Sequence, residues 1–200
     1  MKIVLTFDDG FKEHLKIARF LARHGIRATF FVITGLRTFM GKELLSPSEI
    51  KEIASLGHEI GSHTVTHIDM THTSEDVMLK ELVESKKFLS ELLGYEVNSF
   101  AYPYGPHSDV AAVLARRVYR VVRTTYVGPA KGYKILDRHG CINAFNLRLL
   151  NLYELRELLR RTDTLILFMH LPNTMKLRII IAALETLSPS SEFLTLSEVF

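Results

Sequence analysis

The stretch Ile3-Val4-Leu5-Thr6-Phe7-Asp8-Asp9-Gly10, read with Ala28-Thr29-Phe30-Phe31-Val32-Ile33 downstream, decides the fold class. Both apolar runs are rich in β-branched or aromatic residues, as strands buried on both faces are. Between them, Phe11 to His24 places Leu15, Ala18, Phe20, Leu21 and Ala22 at helical spacing, and Gly25 supplies the stop. A strand, a helix and a second buried strand make a β-α-β unit with parallel strands. Asp8-Asp9-Gly10 falls where the first strand stops, which in an α/β fold is the mouth where pockets form.

The alternation continues to the C-terminus. Ser46-Pro47-Ser48-Glu49 carries an N-cap, a proline at the first helical position and the acidic half of a capping box, predicting a helix to Leu56 stopped by Gly57. His58 to Ser62 reads as a brief strand, and Ser74 to Leu93 as a longer amphipathic helix ended by Gly94, with no catalytic-looking cluster on it. Asn98 to Tyr102 is a strand broken by Pro103-Tyr104-Gly105-Pro106, Ser108 to Arg116 a helix, Tyr119 to Thr125 a strand, and Lys134 to Asn143 a strand or extended segment. Tyr153 to Arg161 and Thr174 to Leu187 are helical and flank the apolar strand Thr164 to Met169, while Phe193 to Leu196 closes the sheet. Repeated units of this kind imply a parallel sheet, open or closed into a barrel.

Two hundred residues suffice for one compact domain, and no Pro/Ser-rich linker divides them, so residues 1–200 read as a single domain. The net charge of +3 is dispersed. Its tightest basic pairs, Lys86-Lys87, Arg116-Arg117 and Arg160-Arg161, suit solvated helix faces and no nucleic-acid partner. The lone cysteine, Cys141, excludes an internal disulfide and a cysteine zinc cluster, and reads as a small buried residue. No apolar run is long enough to span a bilayer. The chain enters a strand by Ile3 with no charged leader or cleavage site, giving a cytoplasmic expectation as it stands, or an extracellular one if an export signal has been trimmed.

The spacing His63-x-x-x-His67 lets two imidazoles face one divalent ion, although alone it fits a structural pair as well. No glutamate follows His63, which excludes the HExxH zincin arrangement, so a carboxylate and a base must come from elsewhere. Asp8-Asp9 offers both. Adjacent carboxylates at a strand mouth repel, a nearby cation relieves them, and their divergent directions let one ligate while the other addresses a bound water. By itself the segment also fits a turn followed by a helix cap. His170, closing Leu167-Phe168-Met169-His170, is either a rim residue or a proton donor to a leaving amine.

In order, Thr6-Phe7-Asp8-Asp9-Gly10, Gly57-His58-Glu59-Ile60-Gly61-Ser62-His63-Thr64-Val65-Thr66-His67, Phe100-Ala101-Tyr102-Pro103-Tyr104-Gly105 and Leu167-Phe168-Met169-His170 resemble the motifs of the polysaccharide deacetylases. These are also called NodB-homology domains or carbohydrate esterase family 4, and the resemblance spans essentially the whole chain. It implies a single-domain α/β fold, a distorted β/α barrel of about seven parallel strands. It further implies a metal-dependent hydrolase that removes N-acetyl groups from N-acetylglucosamine-containing glycans or oligosaccharides and releases acetate. By position, Asp9, His63 and His67 would hold one divalent ion, Asp8 would be the general base, His170 the general acid, and the backbone N–H of Tyr104 an oxyanion donor. Zinc suits the mixed nitrogen and oxygen ligands best, with cobalt, nickel and manganese compatible.

The chain departs from the family pattern twice. Many members carry an arginine two residues before the motif proline, paired with the base, whereas this chain has Ala101; Arg123 and Arg138 are the candidate replacements. A tryptophan-containing motif that orients the acid histidine is absent, as is tryptophan altogether, which leaves Asp137 as a substitute partner for His170. Of the remaining histidines, His14 and His24 read as surface or capping groups, His58 as a packing or supporting residue, His72 with Asp69 as a polar loop, and His107 and His139 as groove-lining candidates. The altered third motif leaves open a hydrolase of a small amide or cyclic imide. A catalytically weak glycan-binding module is the other alternative, against which Asp8 and His170 argue.

Overall fold

A computed structural model describes residues 1–147, 152–172 and 174–200. Strands and helices follow in the order β1 (Lys2–Phe7), α1 (His14–Arg23), β2 (Thr29–Val32), the hairpin β3 (Thr38–Phe39) and β4 (Lys42–Glu43), α2 (Pro47–Ser55), β5 (Glu59–Ser62) and α3 (Glu75–Leu93). Then come β6 (Ser99–Ala101), α4 (Asp109–Val118), β7 (Val121–Tyr126), β8 (Ile142–Asn146), α5 (Leu152–Arg161), β9 (Thr164–Met169), α6 (Thr174–Leu187) and β10 (Glu192–Leu194). Among the described residues, no helix is long and apolar enough to cross a membrane.

Seven parallel strands, β1-β2-β5-β6-β7-β8-β9, stand side by side, and β9 pairs with β1 along Lys2–Phe7 to close the ring. The other edge of β1 is shared: β10 takes Lys2–Val4 and β2 takes Thr6–Phe7. The last strand is therefore a wedge against the lower half of β1, and the sequence expectation that it closes the sheet is corrected.

Period-two alternation splits the apolar residues between two cores. Val4, Phe31, Ala101, Ile142, Ala144, Ile166 and Phe168 fill the barrel interior. Ile3, Leu5, Phe7, Phe30 and Val32 face outward onto Ile17, Leu21 and Leu177 of the helices. The turn Leu196–Glu198 seals the end opposite the mouth, where Leu196 N–H donates to Thr29 Oγ1 at 2.9 Å and Ser197 N–H to Glu59 at 3.1 Å.

Local signals explain most boundaries. Ser46 and Glu49 make the reciprocal capping box, and Pro47 opens α2. Lys134 to Asn143 differs from its expectation. Asp137 Oδ1 accepts the N–H groups of His139 and Cys141, both at 2.8 Å, and Gly140 turns with φ 72°, so the chain reverses there and β8 starts only at Ile142.

Candidate active site

The upper ends of β1, β5, β6, β7 and β9 converge on one cleft of about 420 Å³, lined by Asp8, His63, Tyr104, Phe168 and His170 among others. A second groove of about 660 Å³ beneath the β3–β4 hairpin contains none of these residues. The mouth of β1 is pinned to its neighbour by Asp8 N–H donating to Met169 O at 3.0 Å. Immediately after it, Asp9 adopts φ 79°, a left-handed conformation that turns consecutive carboxylates in different directions.

Asp9 Oδ1 is buried with no hydrogen-bond partner. His63 Nε2 and His67 Nε2 each lie 3.4 Å from it, long for a hydrogen bond. One ligand atom from each of the three residues lies within 4.8 Å of the others. His63 Nδ1 sits 2.8 Å from Ala101 O, which only accepts, so Nδ1 carries the proton and Nε2 keeps its lone pair toward Asp9. Burial pushes the Asp9 carboxyl up, but in the protonated state of the imidazoles their hydrogen bonds and charge more than offset this and hold it well below the usual carboxylate range. An orphaned carboxylate oxygen flanked by two imidazole nitrogens fits a divalent cation with mixed ligation.

Asp8 has a different partner. Arg123 Nη2 donates to Asp8 Oδ1 at 2.5 Å, and its guanidinium lies 5.1 Å from the Phe31 ring centre and 5.2 Å from that of Phe168. Arg123 is the register partner of Ala101, one strand over. The cation missing from β6 is therefore delivered from the adjacent position of β7 through the barrel interior.

His170 follows β9 and shares the cleft with Asp8 and His63. Tyr104 adopts φ 63°, and its ring stands edge-on to His67 with centres 4.6 Å apart. Gly105, at φ 93°, admits no side chain, since a Cβ there would lie 1.9 Å from Thr125 Oγ1.

A family profile described as polysaccharide deacetylase matches residues 1–122. The chain belongs to the polysaccharide deacetylase family. It is 33% identical over 107 residues to the peptidoglycan-N-acetylglucosamine deacetylase of Bacillus cereus, covering 52% of this chain and 36% of that one. The solved Streptococcus pyogenes deacetylase PplD, in complex with acetate, is 30% identical with a TM-score of 0.59, covering 69% of this chain and 61% of that one. A family 4 acetyl xylan esterase from Clostridium thermocellum, solved with cobalt, shares the fold with a TM-score of 0.63 at 20% identity, covering 100% of this chain and 90% of that one. The chain spans less than half the length of the curated relatives it matches.

In this member of the family, several residues stand elsewhere than their sequence suggested. Arg138 donates to Asp109 at 3.0 Å on the surface, far more exposed than Arg123, and is not the partner of Asp8. Asp137 lies 3.2 Å from His107 and caps its own turn, so it is not the partner of His170. His14, read as a surface group, is fully buried; its Nε2 lies 2.5 Å from His170 O, with the rings of Phe7, Phe11 and Phe30 around it. Asp69 and His72 belong to an exposed loop in which Asp69 accepts from Thr71.

Glu81 of α3 escaped sequence reading altogether. Its Oε2 accepts the N–H groups of Val65 and Thr66, both at 2.8 Å, and its Oε1 accepts the Thr66 hydroxyl at 2.7 Å. This clamps the loop between His63 and His67, where Thr64 and His67 both have positive φ. A signal existed: Glu81 interrupts the buried stripe Met78, Leu82, Ser85, Leu89 with a charge.

Proposed function

We propose that this chain is a metal-dependent N-deacetylase acting on N-acetylglucosamine-containing glycans or oligosaccharides, with acetate as the second product. The observation that carries the reading is that two consecutive carboxylates have different partners, Asp9 two imidazoles and Asp8 a buried guanidinium. The relative named for peptidoglycan N-acetylglucosamine supports the substrate class.

A divalent cation held by Asp9, His63 and His67, most suitably zinc, would supply Lewis acidity at the acetamide carbonyl. Arg123 engages Oδ1 of Asp8, which leaves Oδ2 to take a proton from the attacking water. Negative charge then develops on the carbonyl oxygen, and the N–H of Tyr104 is the backbone donor assigned to it. His170 delivers a proton to the sugar nitrogen as the C–N bond breaks, so an amine and acetate leave. His14 holds the His170 carbonyl and hence the backbone that aims this acid.

The alternative of a small amide or imide substrate drew its support from the missing arginine at Ala101. Arg123 in register with that position withdraws that support. Acetate release from chitooligosaccharides by the metal-loaded protein tests the reading. Chelation is expected to abolish it, and Asp8→Asn to lower it by about 10²–10⁴-fold. Turnover of small imides with inert glycans contradicts the substrate, and glycan binding without turnover contradicts the enzyme.

A further inference from the structure

Behind the Tyr104–Gly105 turn, away from Asp9 and its imidazoles, lies a second group of metal-ligating side chains. His107, Asp137 and Cys141 bring a ring nitrogen, a carboxylate oxygen and a sulfur within 4.8 Å of one another. They come from the loop entering α4 and from the turn entering β8, segments far apart in sequence.

Each donor is already oriented by another contact. Asp137 Oδ1 is occupied by the N–H groups of His139 and Cys141, which directs Oδ2 at His107. The His107 ring stacks on Tyr102 with centres 4.3 Å apart and planes 7° apart. Its Nδ1 faces Gly105 O at 3.4 Å and Thr124 Oγ1 at 3.3 Å, and the Thr124 hydroxyl itself donates to Gly105 O at 2.7 Å. Both neighbours are thus acceptors toward the ring, so Nδ1 carries the proton and Nε2 a lone pair. Nε2 is buried without a hydrogen-bond partner, on a side chain only 6% exposed, and faces Asp137 Oδ2 at 3.2 Å. Two acceptors at that separation repel unless a proton or a metal cation lies between them, and with the ring proton on Nδ1 the position between them suits a metal. Cys141 Sγ is fully buried, with the Tyr102 hydroxyl at a loose 4.0 Å.

We propose that His107, Asp137 and Cys141 form a second, structural metal site for a borderline-soft divalent cation such as zinc or cobalt. Nitrogen, oxygen and sulfur donors together select such an ion over magnesium or calcium, and water completes the coordination. Binding converts the Cys141 thiol to a thiolate, with its proton released to solvent. The ion ties the turn entering β8 to the loop that carries Tyr104 and braces that backbone.

Cobalt separates this site from the first, because Cys141 is the chain's one cysteine and Asp9, His63 and His67 contain no sulfur. The cobalt-loaded wild type is expected to bind two ions per chain and to show a sulfur-to-cobalt charge-transfer band in the near ultraviolet. The double variant His63→Ala/His67→Ala should keep the band with one ion. Cys141→Ser should lose the band and one ion, and His107→Gln, which retains the thiol, should lose the band too if Cys141→Ser proves unstable. A wild type that binds one ion without the band overturns the proposal, as does a band that survives His107→Gln at full intensity.

Discussion

At position 123 a guanidinium with no solvent exposure lies between the rings of Phe31 and Phe168 and donates to Asp8. Removing one member of a buried ion pair strands the other, so Arg123→Met is expected to destabilise the protein by about 3–5 kcal/mol. In the fraction that remains folded, Asp8 loses its orientation and kcat falls by about 10²-fold, while metal content stays that of the wild type. Denaturant unfolding, steady-state kinetics and metal analysis check the three parts. His14 gives a pH signature. Burial lowers its pKa from 6.5 to about 4, against the contact with the His170 carbonyl that raises it. Above the ordinary imidazole range the ring is neutral in folded and unfolded chains alike, so it contributes no pH dependence there. Below pH 6.5 the unfolded chain takes a proton that the folded one refuses, and stability falls until about pH 4, where the folded ring also titrates. The gap is worth up to about 3 kcal/mol. His14→Gln, which keeps a donor toward His170 O, is expected to flatten this acid limb in unfolding curves taken across the window; an unchanged slope contradicts it. At this scale Asp8, Asp9 and His170 were legible as candidates because they follow apolar runs, and His63 and His67 by their spacing. The burial of His14 was hidden, because a histidine beside Glu13 at a helix start reads as a solvated group.

Helices and loops were legible where capping chemistry is local, and least so where a partner lies far along the chain. Ser46 and Glu49 set the start of α2 from within four consecutive residues. The two-residue strands β3 and β4 are too short for a period to register, yet their hairpin brings Phe39 to within 4.4 Å of the His67 ring. The turn at Asp137 looked like strand because the side chain that reverses the chain is a single carboxylate binding two N–H groups. Helix α3 showed no catalytic cluster in the sequence, and none is on it, but Glu81 clamps the loop that holds both imidazoles. Glu81→Ala leaves the N–H groups of Val65 and Thr66 without their acceptor, at a cost of about 2–4 kcal/mol. The same change loosens His67 and is expected to weaken zinc binding by about 10–100-fold, measured by titration calorimetry on the folded variant. Zinc affinity equal to the wild type would show that the loop holds its shape without Glu81.

Across the whole molecule, the barrel lets strands distant in sequence supply one cleft. Asp8 and Asp9 follow β1, the imidazoles stand on the loop after β5, Arg123 lies on β7 and His170 follows β9. The alternation of strands and helices was readable throughout. The closure of β9 on β1 was implied by the family resemblance alone, because it joins Lys2–Phe7 to Thr164–Met169 and neither run carries a local mark of the other. Register had the same limit: Arg123 was one of two candidates until β6 and β7 aligned Ala101 with it. The most direct test of the whole arrangement is anomalous diffraction at the zinc edge from crystals of the zinc-reconstituted protein. A strong peak, distinct from any beside Cys141, is expected at about 2.0–2.2 Å from an Asp9 carboxylate oxygen, His63 Nε2 and His67 Nε2, with Asp8 outside the coordination sphere and still paired with Arg123. No peak among those three residues, or one in which Asp8 ligates and Asp9 turns away, would contradict the division of labour between the two carboxylates.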